Sequence, residues 1–176
     1  GFVALSLTLK GYYEQVYGKD LIVAGYFVFA FAFLSAGFRA VGGWLSDKYG
    51  ARAVMYGTLI SSIICCAILS VQLPLIPFAI LSSLVGIIFG IGMAAVYKHI
   101  PTYFPNDVPV VGAMVGVIGG LGGFILPNVF KALLKATDGQ FTSSWMSLTV
   151  ISVIALIWMQ MAIKKLKKKE LLTQEA

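Results

Sequence analysis

Long stretches without charge alternate with short charged segments along the whole chain. Four stretches contain no Asp, Glu, Lys or Arg: residues 21–38, 53–97, 108–130 and 139–163. A helix needs about 20 mostly apolar residues to cross ~30 Å of hydrocarbon, and each stretch supplies one or two such lengths. The pattern therefore predicts an all-α, polytopic membrane protein.

Prolines and charges set the expected helix ends. The stretch 53–97 is too long for one crossing, and Pro74 and Pro77 divide it into two helices. Six transmembrane helices are predicted, at residues 1–17, 21–45, 52–73, 76–100, 108–135 and 142–166. The first has the weakest support, because charged residues interrupt it. Three prolines between residues 100 and 109 predict an irregular connection there.

Composition and charge support a membrane location and fix an orientation. Hydrophobic residues make up 59% of the chain and charged residues 11%, whereas soluble domains have about 45–50% and about 25%. One side of the predicted bundle collects Lys48, Arg52, Lys98, Lys164, Lys165, Lys167, Lys168 and Lys169, and the other Lys19, Lys131 and Lys135. The richer side is expected to be cytoplasmic, with both ends of the six-helix unit there. The net charge of +6 is concentrated at the helix ends and in the tail at 164–176, which predicts a partner in anionic membrane lipid and no nucleic-acid site.

Reactive side chains are scarce. His99 is the only histidine, and Cys65 and Cys66 are adjacent in an apolar stretch where packing is the expected role. We therefore predict no enzymatic activity, no metal site and no cofactor. Lys98 is expected to extend its amine to the interface, and His99 to be solvated.

Tyrosines near the helix ends are predicted to form belts at headgroup level. They are Tyr12, Tyr13 and Tyr17 on one side and Tyr97 and Tyr103 on the other.

A charged motif lies between the second and third predicted helices. It runs Gly43-Trp-Leu-Ser-Asp47-Lys48-Tyr-Gly50-Ala-Arg52 and resembles GxxxD[RK]xGx[RK], the cytoplasmic loop signature of the major facilitator superfamily. Asp47 is an acceptor for an Arg or a helix amino terminus, while the two glycines allow close approach and a sharp turn. The resemblance implies that this loop controls the conformational cycle. A plain charged turn is the alternative interpretation.

Arg39 lies within the second predicted helix, eight residues before Asp47. That spacing puts it ~12 Å inside the interface, where an arginine costs ~2.5–3.5 kcal/mol unless it faces a cavity or a partner. We predict that it binds an anion, because its planar fork fits two oxygens of a trioxyanion. The alternative is a structural Arg paired with a carboxylate outside this chain.

The fifth predicted helix is rich in glycine. The glycines are Gly112, Gly116, Gly119, Gly120, Gly122 and Gly123, which form three overlapping GxxxG pairs. On composition alone, close helix packing is favoured for them and for Gly86 and Gly90. A flexible helix lining a substrate path is the other interpretation.

Two runs narrow the resemblance to the nitrate/nitrite porter family. They are Gly92-Met-Ala-Ala-Val-Tyr-Lys98-His-Ile-Pro101-Thr-Tyr-Phe-Pro105 and Gly116-Val-Ile-Gly-Gly-Leu-Gly-Gly123-Phe-Ile-Leu-Pro127. The second resembles the family's second nitrate signature. The resemblance implies the carboxy-terminal half of a transporter, helices seven to twelve, with Arg39 as one of two arginines that clamp the anion. It also implies that Gly119, Gly120, Gly122 and Gly123 line the substrate path.

The expected function is secondary transport of nitrate or nitrite by alternating access, with the amino-terminal half as partner. Nitrate/nitrite exchange and proton-coupled uptake stay open, because no proton site is assigned. Alternatives are a facilitator for another small or organic anion and a non-transporting membrane sensor. The chain is expected to be a fragment, with a natural half-transporter that dimerises as the alternative.

Overall fold

A computed structural model describes residues 2–137 and 141–174, with side chains described as far as Lys165. Within those residues the chain forms six helices and no strand, so the all-α prediction is confirmed. The helices are α1 Phe2–Tyr17, α2 Leu21–Tyr49, α3 Ala51–Leu69, α4 Leu75–Tyr103, α5 Val108–Ala136 and α6 Thr142–Gln174. Gly1 and most side chains of the predicted basic tail, 164–176, lie outside the described part.

Five of these helices, α2 to α6, are long and apolar enough to cross a membrane. The described part of α1 has 16 residues, fewer than the roughly 20 that a crossing requires. Crossing by α1 therefore stays a prediction.

The charged motif is helical almost to its end, which corrects the prediction that α2 stops at residue 45. No glycine or proline lies between Trp44 and Tyr49, and the Ser46 hydroxyl donates to the Gly42 carbonyl at 2.7 Å. The turn between α2 and α3 is Gly50 alone, with φ at +86°, a backbone angle that side chains disfavour.

Three other helix ends differ from the prediction. α4 continues through Pro101 to Tyr103, because a proline in the last turn removes a single N–H and its fixed φ fits a helix. The Phe104 amide then donates to the Ile100 carbonyl at 2.9 Å and closes the end. α3 stops at Leu69 rather than residue 73, and α6 continues past residue 166 because no glycine or proline interrupts it.

Glycines allow α2 and α4 to pack backbone against backbone. A Cβ on Gly90 would overlap the Ser35 carbonyl oxygen, and one on Gly42 would lie 2.6 Å from the Ile91 Cα. A Cβ on Gly86 would lie 2.8 Å from the Phe31 ring. The predicted packing role of Gly86 and Gly90 is confirmed. α3 lies between α4 and α6, and α5 lies mainly against α1.

An aromatic cluster joins α1, α4 and α6 at the end of the bundle opposite Asp47. Tyr12 stacks on Phe78 at 4.2 Å between ring centroids and meets Trp145 edge-on at 6.4 Å. The Tyr13 hydroxyl lies 3.1 Å from that of Ser82. Tyr12 and Tyr13 are therefore buried, and their predicted place in a headgroup belt is wrong, because helix packing gives their rings and hydroxyls partners inside the bundle.

Candidate functional site

Arg39 lies on the exposed side of α2, far from either end of the helix. Ten residues separate it from the last residue, Tyr49, which corresponds to about 15 Å along the axis. Its Cζ is 5.8 Å from the centroid of the Phe2 ring. Among the described residues its guanidinium forms no ion pair. Its hydrogen-bonding groups are thus open to a ligand or to a partner outside these residues.

Three residues of α2 lead from Arg39 to the charged end of the helix. Arg39, Gly43 and Asp47 follow at intervals of four, so they lie on one side of the helix, about 6 Å apart along the axis. We call this line of residues the Arg39 stripe. It joins two features that the sequence singled out separately.

Lys98 of α4 reaches across to this stripe. Its amine forms an ion pair with Asp47, and its Cε would lie 3.7 Å from a Cβ on Gly43. The side chains of Lys98 and Asp47 are 40% and 66% exposed. From the sequence, the Lys98 amine was expected to extend to the membrane interface, and its ion pair with Asp47 was not predicted. Opposite charges near the ends of two helices were the signal, since Asp47 and Lys98 both lie on the side predicted to be cytoplasmic.

A second contact connects the start of α3 to the end of α4. Arg52 donates from Nη2 to the hydroxyl of Tyr103, and its Cζ lies 5.7 Å from the centroid of that ring. The His99 ring meets Tyr103 edge-on at 4.6 Å between centroids. His99 is therefore partly enclosed by aromatic and cationic neighbours rather than fully solvated. Lys48 points elsewhere and lies 5.3 Å from the Trp44 ring centroid.

These groups surround a cleft of about 410 Å³ between the ends of α2 and α4 and the start of α3. We call it the Lys98 cleft, and its lining includes Ser46, Asp47, Arg52, Lys98, His99, Thr102 and Tyr103. It contains two fixed cations and one carboxylate, so its net charge is positive with His99 neutral. Such a set of donors suits an anion.

The predicted glycine cluster on α5 divides into two parts. Gly119, Gly120 and Gly122 have nothing within 4 Å of a Cβ position, whereas Gly123 is buried with Val3 at 3.0 Å. Close packing is therefore wrong for the first three within the described residues, because α5 leans on α1 only at one side.

The first turn of α1 connects the two predicted parts of the substrate site. Phe2 lies against Arg39, and its neighbour Val3 lies against Gly123. Arg39 and the end of the glycine cluster thus flank the same turn. Asp47 and Arg52 come together at the Lys98 cleft, with Gly43 and Gly50 beside them, while Lys48 stays apart.

Among residues 2–137 and 141–165, whose side chains are described, no three or more His, Cys, Asp or Glu form a group that could hold a metal ion. Cys65 and Cys66 are buried free thiols, as the packing interpretation predicted.

Known proteins were compared with the chain as a whole. The family model described as Major Facilitator Superfamily matches residues 1–175. A probable nitrate/nitrite antiporter NarK1 from Thermus thermophilus is 37% identical, over 96% of this chain and 42% of that protein. The nitrite extrusion protein of Bacillus subtilis (strain 168) is 29% identical, over 90% of this chain and 40% of that protein.

A probable nitrate transporter NarT from Staphylococcus epidermidis is 31% identical, over 90% of this chain and 41% of that protein. The chain thus spans about two fifths of the length of these curated relatives. Their names confirm the resemblance to nitrate/nitrite porters. No solved structure matches the chain.

Proposed function

Because the chain belongs to the major facilitator superfamily, we propose that it forms the carboxy-terminal half of a secondary transporter for nitrate or nitrite. The proposed transporter lies in the cytoplasmic membrane and works by alternating access of two six-helix halves. Similarity to proteins named as nitrate and nitrite transporters supports the substrate. The amino-terminal half and membrane lipid are the proposed partners.

Arg39 is the observation that carries this proposal. An exposed guanidinium about 15 Å from the end of α2 is costly in a membrane unless it faces water or an anion. A guanidinium donates two parallel hydrogen bonds to two oxygens of a planar oxyanion, which a lysine amine does not. Arg39 would therefore hold nitrate from one side. A second cation on the amino-terminal half would complete the site.

The open glycines of α5 support the same placement. Gly119, Gly120 and Gly122 leave backbone uncovered, and Gly123 lies against the α1 turn that also contacts Arg39. A small anion passing this surface would reach backbone atoms between the exposed side chains of Ile118, Leu121 and Phe124. We infer that this surface lines the substrate path opposite the proposed amino-terminal half.

The ends of α2, α3 and α4 would form the cytoplasmic gate. The Asp47–Lys98 and Arg52–Tyr103 contacts connect three helices within one region. Both contacts are partly exposed, so each costs little to break and reform. That balance suits a latch whose side chains part and pair again in every transport cycle, while the backbones of α2 and α4 stay packed. Gly43 lies beside Lys98, and Gly50 forms the turn, while Lys48 would lie near anionic lipid.

The test is flux of labelled nitrate by the full-length transporter in proteoliposomes. Arg39→Lys keeps the charge and removes the fork, so we expect transport to fall roughly ten- to a hundredfold. Lys131→Arg is the matched control, an exchange of the same two residue types at an exposed position of α5, and should keep normal flux.

Normal nitrate flux by Arg39→Lys would contradict the clamp. Binding without flux by the unaltered protein would favour a sensor. Flux of another anion in the absence of nitrate flux would favour a different facilitator.

A further inference from the structure

Lys98 contacts the Arg39 stripe between its middle and its charged end. The Cε of Lys98 would lie 3.7 Å from a Cβ on Gly43, which is one helical turn, about 6 Å, beyond Arg39. Its amine continues to Asp47, a further turn along. A ligand that leaves Arg39 along this side of α2 therefore meets Lys98 next.

The offset between Arg39 and Lys98 is fixed by the helices that carry them. The Gly42 and Gly90 contacts bring the backbones of α2 and α4 together, so relative sliding of the helices would force an overlap. Arg39 and Lys98 thus belong to one rigid unit.

The Lys98 cleft contains hydrogen-bond donors that the contacts within it do not use. Lys98 has three N–H donors, of which the contact with Asp47 uses one. Arg52 has five N–H donors, of which the hydrogen bond to Tyr103 uses one. Hydroxyls of Thr102 and Tyr103 also line the cleft. Its volume of about 410 Å³ exceeds what a triatomic or tetraatomic anion with its water requires. Asp47 is the only carboxylate among the lining residues.

We propose that the Lys98 cleft is a second oxyanion-binding position, which nitrate or nitrite occupies between Arg39 and the cytoplasm. Asp47 holds Lys98 while the cleft is empty, and the anion takes the place of the carboxylate when it arrives. Lys98 is thereby a substrate-binding residue as well as part of the latch. This proposal rests on the proposed transport function.

Transport kinetics measured separately from each side test the proposal. Inside-out membrane vesicles containing the full-length transporter present the cytoplasmic side to added nitrate, and right-side-out vesicles present the other. Lys98→Gln is expected to raise the KM for nitrate at the cytoplasmic side roughly three- to tenfold, the loss of one partly exposed charged contact. The KM at the outer side should not change, and Lys98→Arg should restore most of the affinity.

The Asp47→Asn variant distinguishes anion binding by Lys98 from a purely structural role of its ion pair with Asp47. It breaks the same pair but leaves the cation, so the cytoplasmic KM should not rise although the maximal rate falls. Lys131→Gln, which removes an equal charge from an exposed position on α5, should change neither KM. If Lys98→Gln and Asp47→Asn raise the KM equally, or change the maximal rate alone, the pair is structural and the proposal is wrong.

A measurement on the unaltered transporter covers the case in which Lys98→Gln does not fold. Lys98, whose side chain is 40% exposed, should react through its amine with an amine-specific reagent in inside-out vesicles, and nitrate should slow that reaction. Gluconate at the same ionic strength is the control. Equal reaction rates in nitrate and gluconate would overturn the second position. Absence of nitrate flux by the unaltered transporter in either orientation would instead overturn the proposed function itself.

Discussion

Gly86 and Gly90 on α4, and Gly119 and Gly123 on α5, follow the same GxxxG spacing but have different surroundings. The first pair lies against side-chain and backbone atoms of α2, where an added Cβ would overlap. In the α5 pair, Gly123 has Val3 3.0 Å from a Cβ position, whereas Gly119 has nothing within 4 Å. The spacing indicates where a close approach is sterically allowed. Whether another helix occupies that space depends on the tertiary structure.

The difference assigns the two helices to different tasks. α4 uses its glycines to become one rigid unit with α2, and that unit carries Arg39 and Lys98. α5 keeps most of its glycine surface uncovered, which suits a helix that contacts the other half or the substrate. A Cβ added to each should therefore have opposite consequences for stability and transport.

Gly90→Ala is expected to have the largest effect on stability. Its Cβ would overlap the Ser35 carbonyl, a backbone atom that moves only if the helices separate. Overpacking of this kind costs about 1–3 kcal/mol, and we expect a clearly lower midpoint of thermal unfolding in detergent. An unchanged midpoint would mean that α2 and α4 are less tightly packed than described.

Gly123→Ala is expected to have a smaller effect of the same sign. Its Cβ would lie 3.0 Å from the Cγ1 and 3.1 Å from the Cβ of Val3, and a shift of a few tenths of an ångström would relieve that crowding. The helix propensity gained, up to about 1 kcal/mol, offsets part of the crowding. The same unfolding assay should give a midpoint between those of Gly90→Ala and the unaltered protein. The double variant with Val3→Ala should remove the difference.

Gly120→Ala should leave the unfolding midpoint unchanged or slightly higher, because nothing lies within 4 Å of its Cβ position. Nitrate flux should nevertheless fall severalfold if this surface lines the path. Gly112→Ala is the control, since Gly112 also has an empty Cβ position but lies about two helical turns away. Equal nitrate flux in the Gly120→Ala and Gly112→Ala variants would contradict the idea that the glycine surface of α5 lines the substrate path.

Local sequence signals were sufficient for most of the fold. Charge-free stretches located α2 to α6, and Pro74 placed the start of α4. These local signals failed at Pro101, where a proline in the last turn did not end the helix. They also failed at the charged motif, which was expected to be a loop. Gly43 to Tyr49 is helical because Gly50 alone supplies the turn.

The candidate site was harder to predict because it depends on contacts between distant residues. Arg39 stood out by its depth, since a charge within an apolar stretch is conspicuous in any sequence. The Asp47–Lys98 pair requires the knowledge that α2 and α4 are neighbours. The burial of Tyr12 requires Phe78 and Trp145, which come from two other helices.

The aromatic cluster gives α1 a pivot. Tyr12 is held by α4 and α6, while Phe2 lies ten residues away, a lever arm of about 15 Å. A tilt of α1 by about 10° around the cluster would displace Phe2 by roughly 2–3 Å, comparable to one hydrogen-bond length. Such a tilt would move the ring relative to the guanidinium of Arg39 and would also disturb its stacking on Phe31, 5.4 Å away between centroids, so a small rotation at one end of the bundle is amplified at the other.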